Sequence, residues 1–333
     1  MNKSLLALAT GSFALGFAEF VMMGILPATA TGLRVSVPDA GDFISAYALG
    51  VCAGTLFLVF GRRVPPKRLL LGFVALVAVG NAAAACAPSA EALVAARFVP
   101  AVRPIPDAGL AGQFRFLKKP GPWLVIGAVL LGNTGIFCWW SYVSPWLTDI
   151  GGFPSDALPA LLALAGFGMV VGSLVGGRLT DRTSPGKMAA AGQAIGCITL
   201  ALIFAFSGAP ATAAGLMFLC AFGMFFVSSP QQLLMVKVGR GGGEMIGSAC
   251  VQVAFNLGNA FGATIGQAVL NAGASYASPS LAGVPFSLAA VALLAVFAAR
   301  YERRYRAAGA PDGIDVHDAP ETPSCTQPAF RLE

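Results

Sequence analysis

Residues 157–206 read ALPALLALAGFGMVVGSLVGGRLTDRTSPGKMAAAGQAIGCITLALIFAF. Two apolar runs, 157–175 and 188–206, flank a short connection holding Arg178, Arg182 and Lys187. A helix needs about 20 predominantly apolar residues to cross a hydrocarbon core of about 30 Å. Each run satisfies that length, and neither alternates in polarity as a membrane β-strand does. The stretch therefore predicts two transmembrane helices joined by a tight basic turn. Lys and Arg collect on the cytoplasmic side of a membrane, which places that turn in the cytoplasm.

The pattern repeats outward in both directions. Runs at 5–26, 43–60, 69–86, 123–147, 211–236, 245–272 and 283–299 bring the expected crossings to nine. Of the 333 residues, 56% are hydrophobic and 11% charged, with mean hydropathy +0.76. A soluble domain carries about 25% charged residues, so the fold class expected is an all-α membrane protein in the lipid bilayer. The net charge of +6 sits in short clusters between apolar runs and does not mark a nucleic-acid partner. The start, with Lys3 and Ala28-Thr29-Ala30, looks like a secretory signal. A signal's apolar core spans about 7–15 residues, whereas 5–26 is longer and contains Glu19, so it reads as a crossing.

Six cysteines lie inside apolar runs and Cys325 lies in the polar tail, without a C-x-x-C pair. They read as small apolar fillers. The single histidine, His317, is also in the tail. No metal site, cofactor, nucleotide loop or catalytic triad is visible, so an enzyme is not expected and energy should not come from ATP on this chain.

Basic residues give the sidedness. GRRVPPKR after the second run, Arg178 to Lys187 after the fifth, Lys237 and Arg240 after the seventh, and Arg300 to Arg306 after the ninth alternate with connections nearly free of positive charge. The N-terminus is thus expected in the cytoplasm. The stretch 96–120, ARFVPAVRPIPDAGLAGQFRFLKKP, disturbs the count. Arg103, Arg115, Lys118 and Lys119 make it cytoplasmic, yet one run separates it from GRRVPPKR. Residues 91–102 would reach only about 18 Å as a helix, and Pro100 ends it early. Residues 91–98 therefore read as the first turns of a fourth helix whose remainder is absent, with the junction near Val99. The organisation expected is a truncated helical bundle over 1–98, a basic cytoplasmic linker over 99–120, a six-helix bundle over 121–306 and a disordered tail over 307–333.

Several stretches resemble one family. GGRLTDRTSPGK (176–187) is similar to the loop motif of the major facilitator superfamily. GFAEFVMMGILP in the first run, SSPQQLL (228–234) and CVQVAFNLGNAFGA (250–263) resemble its arabinose/sugar-efflux permeases, in the drug–proton antiporter branch. The resemblance implies twelve helices in two six-helix halves, here with an incomplete first half and a whole second half. It implies proton-coupled efflux of a small sugar or drug-like substrate across a bacterial inner membrane. The fifth-helix motif associated with antiport has no counterpart, and GRRVPPKR lacks the family's Asp. The alternative expectation is a transport-incompetent deletion remnant of such a carrier.

Glu19 is the only acid inside any run. A carboxylate there is costly, which favours its protonated form and suits proton coupling. The resemblance also puts a coupling acid on the first helix; a neutral Glu bonded within a helix contact fits as well. Gln252, Asn256 and Asn259 share one helical face, as do Asn133, Phe137, Trp140 and Ser144. These are the candidate substrate-lining groups, although amides also serve helix-to-helix bonding and Trp140 also serves packing. Gly168/Gly172/Gly176 and Gly258/Gly262/Gly266 read as close-packing faces. Trp123 and Trp146, near the two ends of one run, fit an interfacial belt. The resemblance assigns Gly177, Asp181, Arg182 and Lys187 to a gating loop. As a bare surface pair, Asp181–Arg182 would contribute only about 0–1 kcal/mol.

The sidedness is testable. Single cysteines replacing Arg63 and Lys118 in a cysteine-free chain should react with an impermeant maleimide in inverted vesicles and stay protected in whole cells. Labelling of position 118 from outside, with position 63 inside, would break the count of crossings.

Overall fold

The computed structural model describes residues 19–60, 75, 78–98, 114–239 and 244–302. Residues 5–18 of the first run, GRRVPPKR, most of 69–86, residues 99–113 with Arg103 and Asp107, Arg240 and the tail from 303 lie outside the described residues. Among the described residues there is no strand.

The N-terminal block holds α1 (Glu19–Leu33), α2 (Asp42–Phe60), α3 (78–85) and α4 (Ala90–Phe98). A 3-10 turn at Phe114–Lys118 leads into α5 (Pro120–Trp140) and α6 (Val143–Asp149). Then follow α7 (Leu158–Arg182), α8 (Pro185–Phe206), α9 (Pro210–Val238), α10 (Glu244–Asn271) and α11 (Ser278–Arg300). Five of these start with a proline in the first turn: Pro120, Pro159, Pro185, Pro210 and Pro279. Its missing N–H falls there among groups the helix leaves unpaired anyway.

Among the described residues, five segments are long and apolar enough to cross a membrane: Pro120–Asp149, Ser155–Arg182, Pro185–Phe206, Pro210–Val238 and Ser278–Arg300. The 28-residue α10 is about 42 Å long but more polar, because it carries Gln252, Asn256, Asn259, Gln267 and Asn271. Phe167, Val170 and Leu174 on α7, Ile198 and Phe204 on α8, and Leu288 on α11 point outward, as lipid-facing residues do.

Three boundaries differ from the sequence reading. The first helix continues past Leu26 and Pro27 to Leu33. It ends where Arg34 turns left-handed (φ 57°) and the Val35 N–H donates to the Ala30 carbonyl at 3.0 Å, closing the helix as a Schellman motif does. The run 123–147 breaks at Ser141-Tyr142. Pro145 explains the break, since its ring denies the Ser141 carbonyl a helical donor and crowds it. The third boundary concerns residues 176–182. They belong to the last turns of α7, not to a loop.

Helix α5 is the centre of the bundle. Of its crossing's most apolar stretch 72% is buried, against 22% for α7 and 28% for α11. Its neighbours approach through glycine. A methyl group on Gly258, Gly262 or Gly266 of α10 would strike the carbonyls of Leu130, Thr134 and Cys138 in turn. The same four-residue register joins α7 to α9, where Gly168, Gly172 and Gly176 lie against the carbonyls of Phe218, Phe222 and Phe226. Gly135 of α5 lies against Gly283 and Ser287 of α11.

The bundle has two chemically different ends. Lys118, Lys119, Arg178, Arg182, Lys187, Lys237 and Arg300 gather at one, where Phe116 packs with Val238, Ile246 and Phe297. Asp39, Asp42, Glu91, Asp149 and Asp156 gather at the other, with Arg34. Helix α4 starts at the acidic end, its first turns forming a cleft of about 560 Å³ with Asp39, Asp42 and Phe43. At the two ends of the passage 90–116, Ala90 and Phe116 thus stand at opposite ends of the bundle. The helix described within that passage has nine residues, about 14 Å, under half of a hydrocarbon core.

Replacing Gly172 with Ala should cost about 1–3 kcal/mol, the usual penalty of overpacking. Gly166→Ala, on the same helix with nothing within 4 Å, should be neutral or slightly stabilising. Thermal unfolding of the purified variants compares the two.

Candidate functional site

The face of α5 that carries Asn133, Phe137 and Trp140 continues to Ser144 on α6. The Ser144 hydroxyl lies 2.6 Å from the Met23 carbonyl and 3.0 Å from that of Gly24. This face thus looks at α1. Glu19 is one turn before Met23, and Trp140 is one turn before Ser144. The two helices run in the same direction, so Glu19 precedes the Met23–Ser144 contact on α1 as Trp140 precedes it on α5. Glu19 is half-buried and engaged with a neighbour.

Helix α10 is gripped on two sides. Its glycines face α5, while on α2 Ser45 donates to the Ala260 carbonyl at 3.4 Å and the Cys52 thiol to that of Val253 at 3.5 Å. At about 100° per residue, the arc between those sides carries Gln252, Asn256 and Asn259. Asn256 is 0% exposed and Asn259 3%; Gln252 is half-buried. The Asn256 amide donates to the Gln252 carbonyl at 2.9 Å, which turns its Oδ1 away from its own helix. The Oδ1 atoms of Asn256 and Asn259 are buried without a hydrogen-bond partner, and a buried acceptor left so costs about 1–3 kcal/mol. Asn133 donates to its own Val129 carbonyl at 2.8 Å. Phe137 packs edge-on against Phe255 at 5.9 Å.

The structure therefore brings the amide row of α10, the α5 face and α1 into one buried core. Met22, Met23, Met217 and Met224 share that core with the tryptophans. Trp146 contradicts its expected interfacial place. It is 0% exposed and stacks edge-on against Trp139 at 4.8 Å, because the break before Pro145 redirects it inward. Trp123 is 58% exposed and donates to the Leu117 carbonyl at 2.8 Å, as a residue at a membrane surface can.

The expected gating residues lie elsewhere, at the basic end. Gly177, Asp181 and Arg182 are on the last turns of α7 and Lys187 is in the first turn of α8. Asp181 and Arg182 are exposed and form no ion pair with a described residue. What holds the α7–α8 turn is Glu302, which the sequence did not single out. It accepts hydrogen bonds from the Ser184 hydroxyl and, at 3.2 Å, from the Gly186 N–H. Ser184 in turn caps α8, accepting from the Lys187 N–H at 3.2 Å. A side chain on Gly186 would collide with Glu302 and Ala298. The only advance signal was that Glu302 is the lone acid in YERRYR (301–306). Gln193, buried against Gly132 with its Nε2 unpartnered, also went unnoticed.

No family model matches the chain. Individual relatives do. The chain is 32% identical over 386 aligned positions to "Putative transporter AraJ" of Escherichia coli K12, covering 92% of this chain and 98% of the relative. It is 27% identical over 382 positions to "Uncharacterized MFS-type transporter YfhI" of Bacillus subtilis, covering 88% and 93%. The chain belongs to the major facilitator superfamily. A shorter stretch of 103 residues, 31% of this chain and 26% of the relative, is 37% identical to a chloramphenicol resistance protein of Streptomyces lividans. As a major facilitator chain it is a multi-pass membrane transporter. The AraJ alignment outruns the whole 333-residue chain. The 92% covered is about 306 residues, so about 80 of the 386 positions have no counterpart here.

Removing the Glu302 carboxylate should loosen the start of α8. Glu302→Ala and Ser184→Ala are each expected to cost about 1–2 kcal/mol, as lost caps do. Their double variant should cost clearly less than the sum, because the two groups act through one contact. Thermal unfolding through a double-mutant cycle measures that coupling.

Proposed function

We propose that the chain is a carrier, not an enzyme, that exports small polar or amphipathic molecules in exchange for protons across the bacterial inner membrane, with its basic end in the cytoplasm. What supports this is Glu19, one turn before the Met23 that joins α1 to Ser144, beside the core that holds the buried amide row. An acid there can be neutral in one state and ionised in another. The amides can hydrogen-bond an uncharged solute without the cost of a buried charge. Carrier sites of this kind lie near mid-membrane between repeated halves. The basic end matches the side on which Lys and Arg are retained. A relative named for chloramphenicol resistance supports efflux of drug-like compounds, and the motif resemblance supports sugars.

Inverted vesicles energised by an imposed pH gradient, internally acid, test the reading with labelled chloramphenicol and labelled arabinose. One of them should accumulate at least about tenfold over vesicles lacking the protein. Glu19→Ala should abolish the dependence on the gradient. Accumulation indifferent to the gradient, or unchanged in Glu19→Ala, would remove the proton-coupled mechanism.

A second reading, a transport-incompetent deletion remnant, is favoured by a specific observation. The shortfall of about 80 positions against AraJ approaches three helices of about 20 residues with their loops. We place it after Phe98, the last described residue of α4. A chain so shortened would lack walls of its first half. It would give folded protein without accumulation in the vesicle assay, whereas robust gradient-driven accumulation by the purified, reconstituted chain excludes it.

A further inference from the structure

At the acidic end, the connection between α1 and α2 is tied to the second half by contacts that no sequence motif announces. The Asp39 carboxylate accepts from the Gln267 amide at 3.3 Å and from the Asn271 amide at 3.2 Å, both on the last turns of α10. Ser36 positions it from its own side, donating its hydroxyl to Asp39 and accepting from the Asp39 N–H at 3.1 Å. One layer deeper, the Tyr142 hydroxyl is shared between the Pro38 carbonyl at 3.2 Å and the Ala263 carbonyl at 3.0 Å. Gly41 leaves the room that this hydroxyl needs. Ser144 reaches Met23 and Gly24. These contacts tie the segment 23–41 to α6, to α10 and to the break between α5 and α6.

We propose that Asp39 with Gln267 and Asn271 forms a carboxylate–amide latch that holds the carrier shut at its acidic end. The inference rests on reading the chain as a carrier, since a carrier must open at this end in another state. In the state described, Asn256 and Asn259 are buried and their Oδ1 atoms have no hydrogen-bond partner. Release begins when two amides leave one carboxylate for water, and the Tyr142 and Ser144 contacts then part with it.

The ionisation of Asp39 fits a standing latch. Hydrogen bonds from Ser36, then from Asn271 and Gln267, hold its carboxyl below the ordinary carboxylate range. A carboxylate so depressed contributes fully above its unfolded value and loses that contribution only as pH falls through the folded one. At neutral pH the latch is therefore charged and closed. Asp42, shifted the opposite way by burial and by the Asp39 charge, and Glu91 share the adjoining cleft. Arg34, the cation of this connection, makes no ion pair with Asp39.

Hydrogen exchange of the full chain in lipid nanodiscs tests this without substrate or gradient, so it can fail while proton-coupled export stands, and the reverse. In Asp39→Ala, exchange over 36–41 and 267–273 should rise about tenfold, the effect of losing one charge-assisted hydrogen bond. The glycine seam over 128–138 should keep its protection. Asp39→Asn combined with Asn271→Asp moves the carboxylate to the other side of the same gap and should restore the wild-type rate. Unchanged exchange in Asp39→Ala would overturn the latch. So would loosening that spreads into the seam and is not reversed by the exchanged pair.

Discussion

Close approach of backbone to backbone, made possible by glycine, is what the rest of this bundle depends on. Helices in hydrocarbon gain little from hiding apolar surface, because lipid tails are as apolar as leucine. They must associate through dispersion and through weak polar contacts such as Cα–H to carbonyl, both of which fall off steeply with distance. Two seams answer this in one register. Gly258, Gly262 and Gly266 meet the carbonyl row of Leu130, Thr134 and Cys138, and Gly168, Gly172 and Gly176 meet that of Phe218, Phe222 and Phe226. Once the first seam is set, Asn133 and Phe137 have one place beside α10, and Asn256 and Asn259 have one direction in which to point. The polar core is a by-product of where the glycines are not.

Much of this was legible in the chain. Four-residue glycine spacing announced both seams, though not their partners. The amide row was visible as a face, and apolar length and charge alternation located the helices of the second half. Other features stayed hidden for identifiable reasons. Pro145 was in plain view, but a continuous apolar run masked the break that it makes, and Trp146 was accordingly placed at an interface. The first apolar run ended at Leu26, yet the turn came at Arg34, a residue type that gives no hint of left-handed backbone. Glu302 and Asp39 act on partners more than a hundred residues away, and no local pattern reports such a pairing. The motif 176–187 was recognised as a unit, but its Ser-Pro-Gly was read as connection when it is the start of a helix built around a distant carboxylate.

The two ends of the molecule are held by different means. At the basic end a single glutamate ties the last helix to the turn before α8, within the second half. At the acidic end the ties run between the two blocks and are layered. Fastening of this kind, rigid within a half and removable between halves, separates what must stay fixed from what must move.

The burial of α5 bears on how the chain is made. Its partners α10 and α11 emerge from the ribosome more than a hundred residues later; Gly135 meets Gly283 only once α11 has been made. Until then this helix sits in lipid with Asn133 and Thr134 bonded to their own carbonyls and with its widest surface uncovered. It is the first of its half to enter the membrane and the last to be enclosed. A nascent chain halted before α10 would present that bare flank to whatever neighbour, protease or chaperone reaches it first.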